Sequence, residues 1–295
     1  MLINKKLSLH QIIAITWKVD LAMIAFCTLV YILDSYVFTG FSLPIAFPAL
    51  MGTAIAFFIG FNNNQAYGRW WEARIIWGGL VNDSRSWARS LLAYSPDSLL
   101  NKRMIYRHIA FLYATVASLR SDSEDKLYMQ YLSAEDLKLL NPNEHLPNAL
   151  LNLQAHDLAM LHTTGKINDF AFAGLNQLLQ NFCDGLGKSE RINGTPFPVT
   201  YLHFTYLSLW LFIALITLST SHAVGSPSIL LGWLMGFVFN VIHLNGLELM
   251  NPFEKGAMTV PILSISRRIE INLVHALNEK NVPEPFPPLN GEYII

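Results

Sequence analysis

The longest stretch of this chain without a charged side chain, residues 192–247, constrains its fold more than any other feature. It contains two apolar blocks, TYLSLWLFIALITL and ILLGWLMGFVFNVI, and two comparable blocks lie near the N-terminus. A bilayer core about 30 Å thick is crossed by roughly 20 apolar residues in a helix. The sequence therefore predicts an all-α integral membrane protein with four transmembrane helices, near residues 18–38, 44–62, 203–223 and 228–247. The second span is short unless its helix continues into the polar residues that follow.

Composition excludes several classes of protein. Charged residues make up 14% of the 295 residues, against about 25% in soluble domains. The net charge of −1 gives no sign of a nucleic-acid partner. The two cysteines, Cys27 and Cys183, lie too far apart in sequence to indicate a disulfide framework or a metal site.

The flanking charges predict one orientation in the membrane. The loops at 34–44 and 221–228 contain no Lys or Arg. The basic residues cluster on the other side of the spans, at Lys5, Lys6, Lys18, Arg69, Arg74, Arg85, Arg89, Lys255, Arg267 and Arg268. By the positive-inside rule, both termini and the middle of the chain face the cytoplasm. For a bacterial chain, this places the protein in the inner membrane.

Four regions follow from this topology. Residues 1–68 hold the first two spans, 69–200 form a cytosolic helical region, 201–250 hold spans three and four, and 251–295 form a cytosolic C-terminal helix and an extended tail. Within the cytosolic region, apolar periodicity predicts helices over 104–119, 147–161 and 168–186. Ser133 and Asp136 resemble a capping box.

Two ladders of residues repeat at every fourth position in the second apolar block. On a helix, such residues form one stripe along one face. One stripe is small and suits close helix packing, at Gly52, Ala56 and Gly60. The adjacent stripe carries two phenyl rings that could point into a narrow space, at Thr53, Phe57 and Phe61. Ordinary helix packing with phenyl rings facing lipid is the alternative interpretation.

Amides follow the phenyl rings directly, at Asn62, Asn63, Asn64 and Gln65. Amides at membrane depth need protein partners or water. Water beneath two aromatic rings would indicate a wet cavity below a dry constriction, which favours a pore over a plain membrane anchor.

No pattern of catalytic residues is evident. His145, His156 and His162 are not paired at the i, i+4 spacing of a helical metal site, and no HExxH motif occurs. His243 and Glu248 fall at the end of the fourth span, where polar packing is the simpler interpretation. Glycine-rich phosphate loops and nucleophile elbows are missing from the sequence. We therefore expect no enzymatic activity, no cofactor and no bound metal.

The segment FNNNQAYGRWWEAR at 61–74 resembles the sequence after the second transmembrane helix of bestrophins, particularly bacterial ones. Three other elements are similar to the family in order and spacing: the joint at 195–198 (TPFP), the helix start at 165–170 (GKINDF) and the NPF element at 251–253. The resemblance covers nearly the whole chain.

The resemblance implies a homopentameric ion channel in which five copies of the second helix line a hydrophobic neck. The family's neck positions fall on Thr53, Phe57 and Phe61, and its cytosolic aperture falls on Phe170. Family members usually carry Ile at the first neck position. A threonine hydroxyl makes that level easier to wet, so the phenyl rings are the expected barrier. Residues 254–259 (EKGAMT) lack the acidic run that binds calcium in animal members, so we do not expect calcium gating.

Selectivity is the least determined property. Asp169 beside the aperture would form an acidic ring that attracts cations, or Asp169 or Asn168 simply caps the helix that begins there. Asn62 is a second candidate for ion selectivity. From the bacterial resemblance we predict small monovalent cations as permeant ions. An anion (chloride) channel of the same architecture and a non-conducting membrane scaffold are the alternatives. The expected partners are further copies of the chain, membrane lipids and the permeant ions.

Overall fold

The computed structural model describes residues 9–37, 42–120, 126–141 and 143–288, and within these ranges it contains helices and no strand. The all-α prediction is confirmed for this part of the chain. The helices are α1 (Leu9–Tyr36), α2 (Ala46–Tyr94), α3 (Ser98–Arg120), α4 (Ala134–Leu139), α5 (Leu146–Thr163), α6 (Asp169–Gly194), α7 (Val199–Val224), α8 (Pro227–Met250) and α9 (Ile262–Ala276), with a short 3-10 helix at Leu127–Tyr131. Residues 281–288 have no regular structure, and the rest of the predicted extended tail lies outside the described ranges.

Four helices are long and apolar enough to cross a membrane: Ile13–Tyr36 within α1, and α2, α7 and α8. The four predicted spans are therefore confirmed, and the chain is a membrane protein. The second span is part of a helix of 49 residues, because α2 continues through the asparagines and the RWWEAR segment to Tyr94.

The chain divides into two compact units. The membrane unit contains the described residues up to Arg69 together with Pro196–Met250, and so holds α1, the first part of α2, α7 and α8. The polar unit contains Trp70–Thr195 and the chain from Asn251 onward, and so holds the second part of α2, α3 to α6 and α9. Each unit has its own hydrophobic cluster.

Small residues let the helices of the membrane unit pack closely. A side chain at Gly236 would collide with Ile213 of α7, at 2.6 Å from its Cδ1 atom. The same change at Gly232 would meet the Cys27 sulfur of α1 at 2.9 Å. Such contacts are the main source of helix association in a bilayer, where burial of apolar side chains gives no net gain over lipid. Cys27 is buried in this contact, whereas Cys183 on α6 is exposed.

The core of the polar unit is built around α3, most of which is buried. Trp77 and Trp87 of α2 are fully buried in the same cluster, and the Trp87 ring lies 5.9 Å from that of Phe182 in an edge-to-face arrangement. The buried Arg107 forms ion pairs with Asp136 and, at 2.6 Å, with Asp157. Buried charges require such pairing, so these residues help to define how the α3, α4 and α5 helices pack.

The predicted capping box at the start of α4 is confirmed. The Ser133 hydroxyl accepts the backbone N–H of Asp136 at 3.1 Å, and the Asp136 carboxylate accepts the backbone N–H of Ser133 at 3.1 Å. Another buried carboxylate, Glu270 of α9, accepts hydrogen bonds from the hydroxyls of Tyr113 and Tyr131 and, at 3.0 Å, from the Arg267 guanidinium.

Candidate pore-lining site

The first part of helix α2 has one face buried in the membrane unit and another face exposed. Ile55 and Ile59 are buried in the cluster of the membrane unit. Thr53 is exposed, and Phe57 and Phe61 are 73% and 47% exposed. The stripe predicted as the neck therefore lies on a face of α2 that remains largely exposed, with Phe61 about half-covered.

The hydroxyl of Thr53 is already engaged. Its Oγ1 atom donates to the carbonyl of Ala49, one turn earlier, at 2.9 Å. The hydroxyl therefore presents only acceptor lone pairs and a methyl group to whatever faces it. This is a weakly polar surface next to two apolar rings.

The small stripe of α2 is not packed as a whole within the chain. A side chain at Gly52 would meet the Phe212 ring at 3.0 Å, so α2 and α7 are close at this level. Ala56 and Gly60 are exposed, and a side chain at position 60 would meet nothing within 4 Å. Close packing at these two positions is thus not an intrachain contact, and packing against another copy stays a prediction.

The structure gives no support to the prediction that Asn62 contributes to ion selectivity, which stays untested. Asn62 is only 1% exposed, and its Nδ2 donates to the Thr205 hydroxyl of α7 at 3.2 Å. It follows Ile55 and Ile59 on the buried face of α2. Asn63 also has a protein partner, since its Nδ2 donates to the carbonyl of Ile242 on α8 at 3.0 Å.

A close contact of α2 that the sequence analysis missed lies at Gly246 of α8. A side chain there would collide with the Asn63 amide. Arg69 supports the same pair of helices, because its Nε donates to the carbonyl of Met250 at the end of α8 at 3.0 Å. A cation at a helix C-terminus is favourable, because the free carbonyls there carry negative partial charge.

The aperture residue Phe170 lies in the first turn of α6 and is 90% exposed. Asn168 caps this helix, since its Oδ1 accepts the backbone N–H of Ala171 at 2.9 Å. The capping role that was open between Asn168 and Asp169 therefore belongs to Asn168. The Asp169 side chain is 92% exposed.

His162 was not expected at this position. Its Nε2 atom lies 2.7 Å from Asp169 Oδ1, and its ring stacks on Phe172 with ring centroids 4.7 Å apart. The turn between them is anchored by Lys166, whose Nζ donates to Asp97 at 2.7 Å. That hydrogen bond, with a backbone N–H from Leu100, lowers the pKa of the Asp97 carboxyl.

Comparison with known proteins gives consistent matches over this architecture. Residues 5–275 match the family described as Bacterial/Fungal Bestrophin protein. The voltage-dependent anion channel-forming protein YneE of Escherichia coli (strain K12) is 28% identical over 259 residues, or 88% of this chain and 85% of the relative. A protein of the same description from Nostoc is 27% identical over 238 residues, or 79% of this chain and 77% of that protein.

Solved structures agree on the fold. The crystal structure of a bacterial bestrophin homologue from Klebsiella pneumoniae has a TM-score of 0.83 at 24% identity, and the match covers 89% of this chain and 98% of that one. Another solved membrane protein gives a TM-score of 0.84 at 24% identity over 90% of this chain and 100% of its own.

Proposed function

Because the chain belongs to the Bacterial/Fungal Bestrophin family, we propose that five copies of it assemble into an ion channel of the bacterial inner membrane. The observation that carries this proposal is the uncovered stripe of α2 at Thr53, Phe57 and Phe61. The opposite face of α2 is buried in the membrane unit, so the phenyl rings of the stripe are directed away from that unit. The distribution of Lys and Arg supports both termini on the cytoplasmic side.

In this proposal, five copies of the stripe face one another and form the neck. Phe57 and Phe61 supply apolar rings at two levels one helical turn apart. A narrow apolar constriction resists filling with water and thereby blocks ions. Thr53 supplies the level that wets most easily, because its hydroxyl oxygen keeps free lone pairs.

The cytosolic aperture is assigned to Phe170, with Asp169 beside it. The support is the exposure of both side chains at the start of a helix whose cap is provided by another residue. The Asp169 carboxylate has a hydrogen-bond partner, because the imidazole of His162 lies 2.7 Å from it. A donor at this position offsets part of the negative potential of the carboxylate.

We propose small monovalent anions such as chloride as the permeant ions. The relatives from Escherichia coli and Nostoc are named as voltage-dependent anion channel-forming proteins, which favours the anion alternative over the cation preference predicted from the sequence. The neck stripe itself carries no charged residue, and phenyl edges have positive partial charge that attracts anions.

The sign of the ion is tested by reversal potential. Purified protein in planar bilayers under a potassium chloride gradient should reverse near the chloride equilibrium potential. Reversal near the potassium potential would return the assignment to cations. Folded pentamers that carry no current would favour the scaffold alternative. A monomeric protein would contradict the channel proposal itself.

The neck is tested with matched aromatic variants. Phe57→Ala with Phe61→Ala should raise single-channel conductance severalfold, since the dry barrier is removed. Phe58→Ala is the control, because Phe58 is also exposed but lies off the stripe. If the folded double variant and the wild type carried equal currents, the two phenyl rings would not form the barrier.

A further inference from the structure

A groove in the polar unit lies between the second part of α2 and α9. It has a volume of 680 Å³, and Arg85, Arg89 and His275 all contribute to its lining. Its apolar floor includes Ala88 and Leu273. Among the described residues that line this groove there is no Asp or Glu. The groove therefore concentrates positive charge that its own walls do not neutralise.

A second groove in the same unit shows that this is not a general property of the surface. That groove, of 560 Å³, is lined by Lys102 and Arg103, but also by three carboxylates. Lys102 pairs with Glu279, and Arg103 pairs with Asp157 at 2.9 Å. Its cations are thus paired with carboxylates of the same unit, whereas no described residue forms an ion pair with the arginines of the first groove.

The two arginines of the α2–α9 groove are placed for one shared ligand. Arg85 and Arg89 are four residues apart on one helix, so their side chains are neighbours about 5–6 Å apart at Cβ. Like charges at this spacing repel each other. Asn272 of α9 accepts Arg85 Nε at 2.8 Å and so fixes that guanidinium. Arg89 is exposed, and no described residue forms an ion pair or hydrogen bond with it.

This arrangement favours a phosphate group over a carboxylate or chloride. A guanidinium is a planar fork of N–H donors that binds two oxygens of phosphate at once. A phosphate monoester carries a charge of about −1.5 to −2 at neutral pH, which matches two arginines. The groove volume also lies in the range of roughly 300–1,000 Å³ that is typical of small-molecule sites.

We propose that the α2–α9 groove binds a phosphorylated small molecule through Arg85 and Arg89, with His275 as a further donor. The bound phosphate would join α2 to α9, because Arg85 already bridges the two helices through Asn272. The apolar floor suits a ligand that carries an apolar group next to its phosphate. This site is independent of the proposed pore.

The test uses pyrophosphate as the probe with full-length protein in detergent. Calorimetry should show binding at sub-millimolar concentration, and sodium sulfate and sodium chloride at equal ionic strength should bind at least about tenfold more weakly. Arg85→Gln with Arg89→Gln should abolish the binding. Arg268→Gln is the matched control, because Arg268 is an exposed arginine of α9 outside the groove.

Two further arms separate the possible outcomes. Arg89→Lys keeps the charge but loses the planar fork, and should weaken binding about tenfold if phosphate is held by two oxygens. Vesicles of phosphatidylglycerol, compared with phosphatidylcholine, report whether a lipid phosphate competes with pyrophosphate for the same arginines. Unchanged pyrophosphate binding in the double variant would overturn the site. The site would also be overturned if the wild type bound no phosphate probe and the double variant lost its oligomeric state. The groove would then be a contact between subunits.

Discussion

The two aromatic pairs of α2 have opposite surroundings although they share one helix. Trp77 and Trp87 are fully buried in the polar unit, whereas Phe57 and Phe61 in the membrane unit remain exposed. Both pairs count alike as aromatic residues in the composition of the chain. Burial separates aromatic side chains that stabilise the fold of one chain from those that the chain presents to something outside itself. The same contrast holds for charge, because Arg107 forms buried ion pairs in the polar unit, whereas no described residue pairs with Arg89.

The largest effect that would sharpen this comparison is expected from Trp87→Ala. The change removes a buried ring that contacts Phe182, so it should lower the free energy of unfolding by about 3–5 kcal/mol through lost burial and a new cavity. Thermal denaturation in detergent should show the loss as a clear fall in the midpoint. Phe57→Ala is the comparison variant and should change the midpoint little. A similar fall for both variants would break the distinction between the two pairs.

A second large effect is expected from Arg107→Ala. It leaves Asp136 buried without its cation and leaves Asp157 with Arg103 alone. Breaking a buried ion pair typically destabilises a protein by about 3 kcal/mol or more. Arg89→Ala on the same unit should be nearly neutral for stability, because no described partner is lost. Thermal midpoints of the two variants, measured side by side, check the difference. Equal midpoints would mean that the buried pairs contribute little.

Acid should destabilise the polar unit. Burial lowers the pKa of His108 to about 3, from an ordinary value of 6.5, so the folded chain keeps this imidazole neutral. Between those values the unfolded chain takes up a proton that the folded chain does not, and stability falls as pH falls, with a slope approaching one proton. For Asp136, burial opposes ionisation, but the Arg107 hydrogen bond and charge outweigh it and lower the pKa. That carboxylate adds a further loss below its ordinary value of 3.8.

The measurement is the thermal midpoint of the wild type and of His108→Phe between pH 7.5 and 5. The variant should have a flatter profile than the wild type. The phenyl ring of the variant should keep the packing against Phe111 and Phe182. In the wild type, the centroids of these rings lie 5.7 Å and 4.2 Å from that of His108. Parallel profiles would assign the acid sensitivity to other groups.

The smallest effect on stability is expected from Thr53→Val on the exposed stripe. Valine has nearly the same shape, and the lost bond to Ala49 lies within one helix, so the free energy of unfolding should change by no more than about 0.5 kcal/mol. If the stripe faces the neck of a pore, the loss of the hydroxyl should make the Thr53 level harder to wet and lower single-channel conductance. Recordings of Thr53→Val beside Thr53→Ser, which keeps the hydroxyl, separate wetting from side-chain size.

Much of the fold could be predicted because it depends on local composition. Charge-free apolar runs indicated all four spans, and the capping box at Ser133 was evident from two residues. The burial of Asn62 was not predicted, because we followed the stripe of Phe57 and Phe61 and did not extend the stripe of Ile55 and Ile59. Ile55, Ile59 and Asn62 are spaced by four and three residues, so a helix places Asn62 on the buried face.

Other contacts could not be predicted because their partners are distant in sequence. Tyr113 and Glu270 are 157 residues apart, and Arg85 and Asn272 are 187 residues apart. Such pairs form only after α9 has packed against the other helices. The hydrogen bond between His162 and Asp169 spans only seven residues, but it depends on the turn that Lys166 anchors.

The two cysteines have a practical consequence. Cys27 is buried between helices and Cys183 is exposed, so a maleimide dye should attach to one thiol in each chain without any mutation. The number of bleaching steps of a single labelled particle then counts its chains directly.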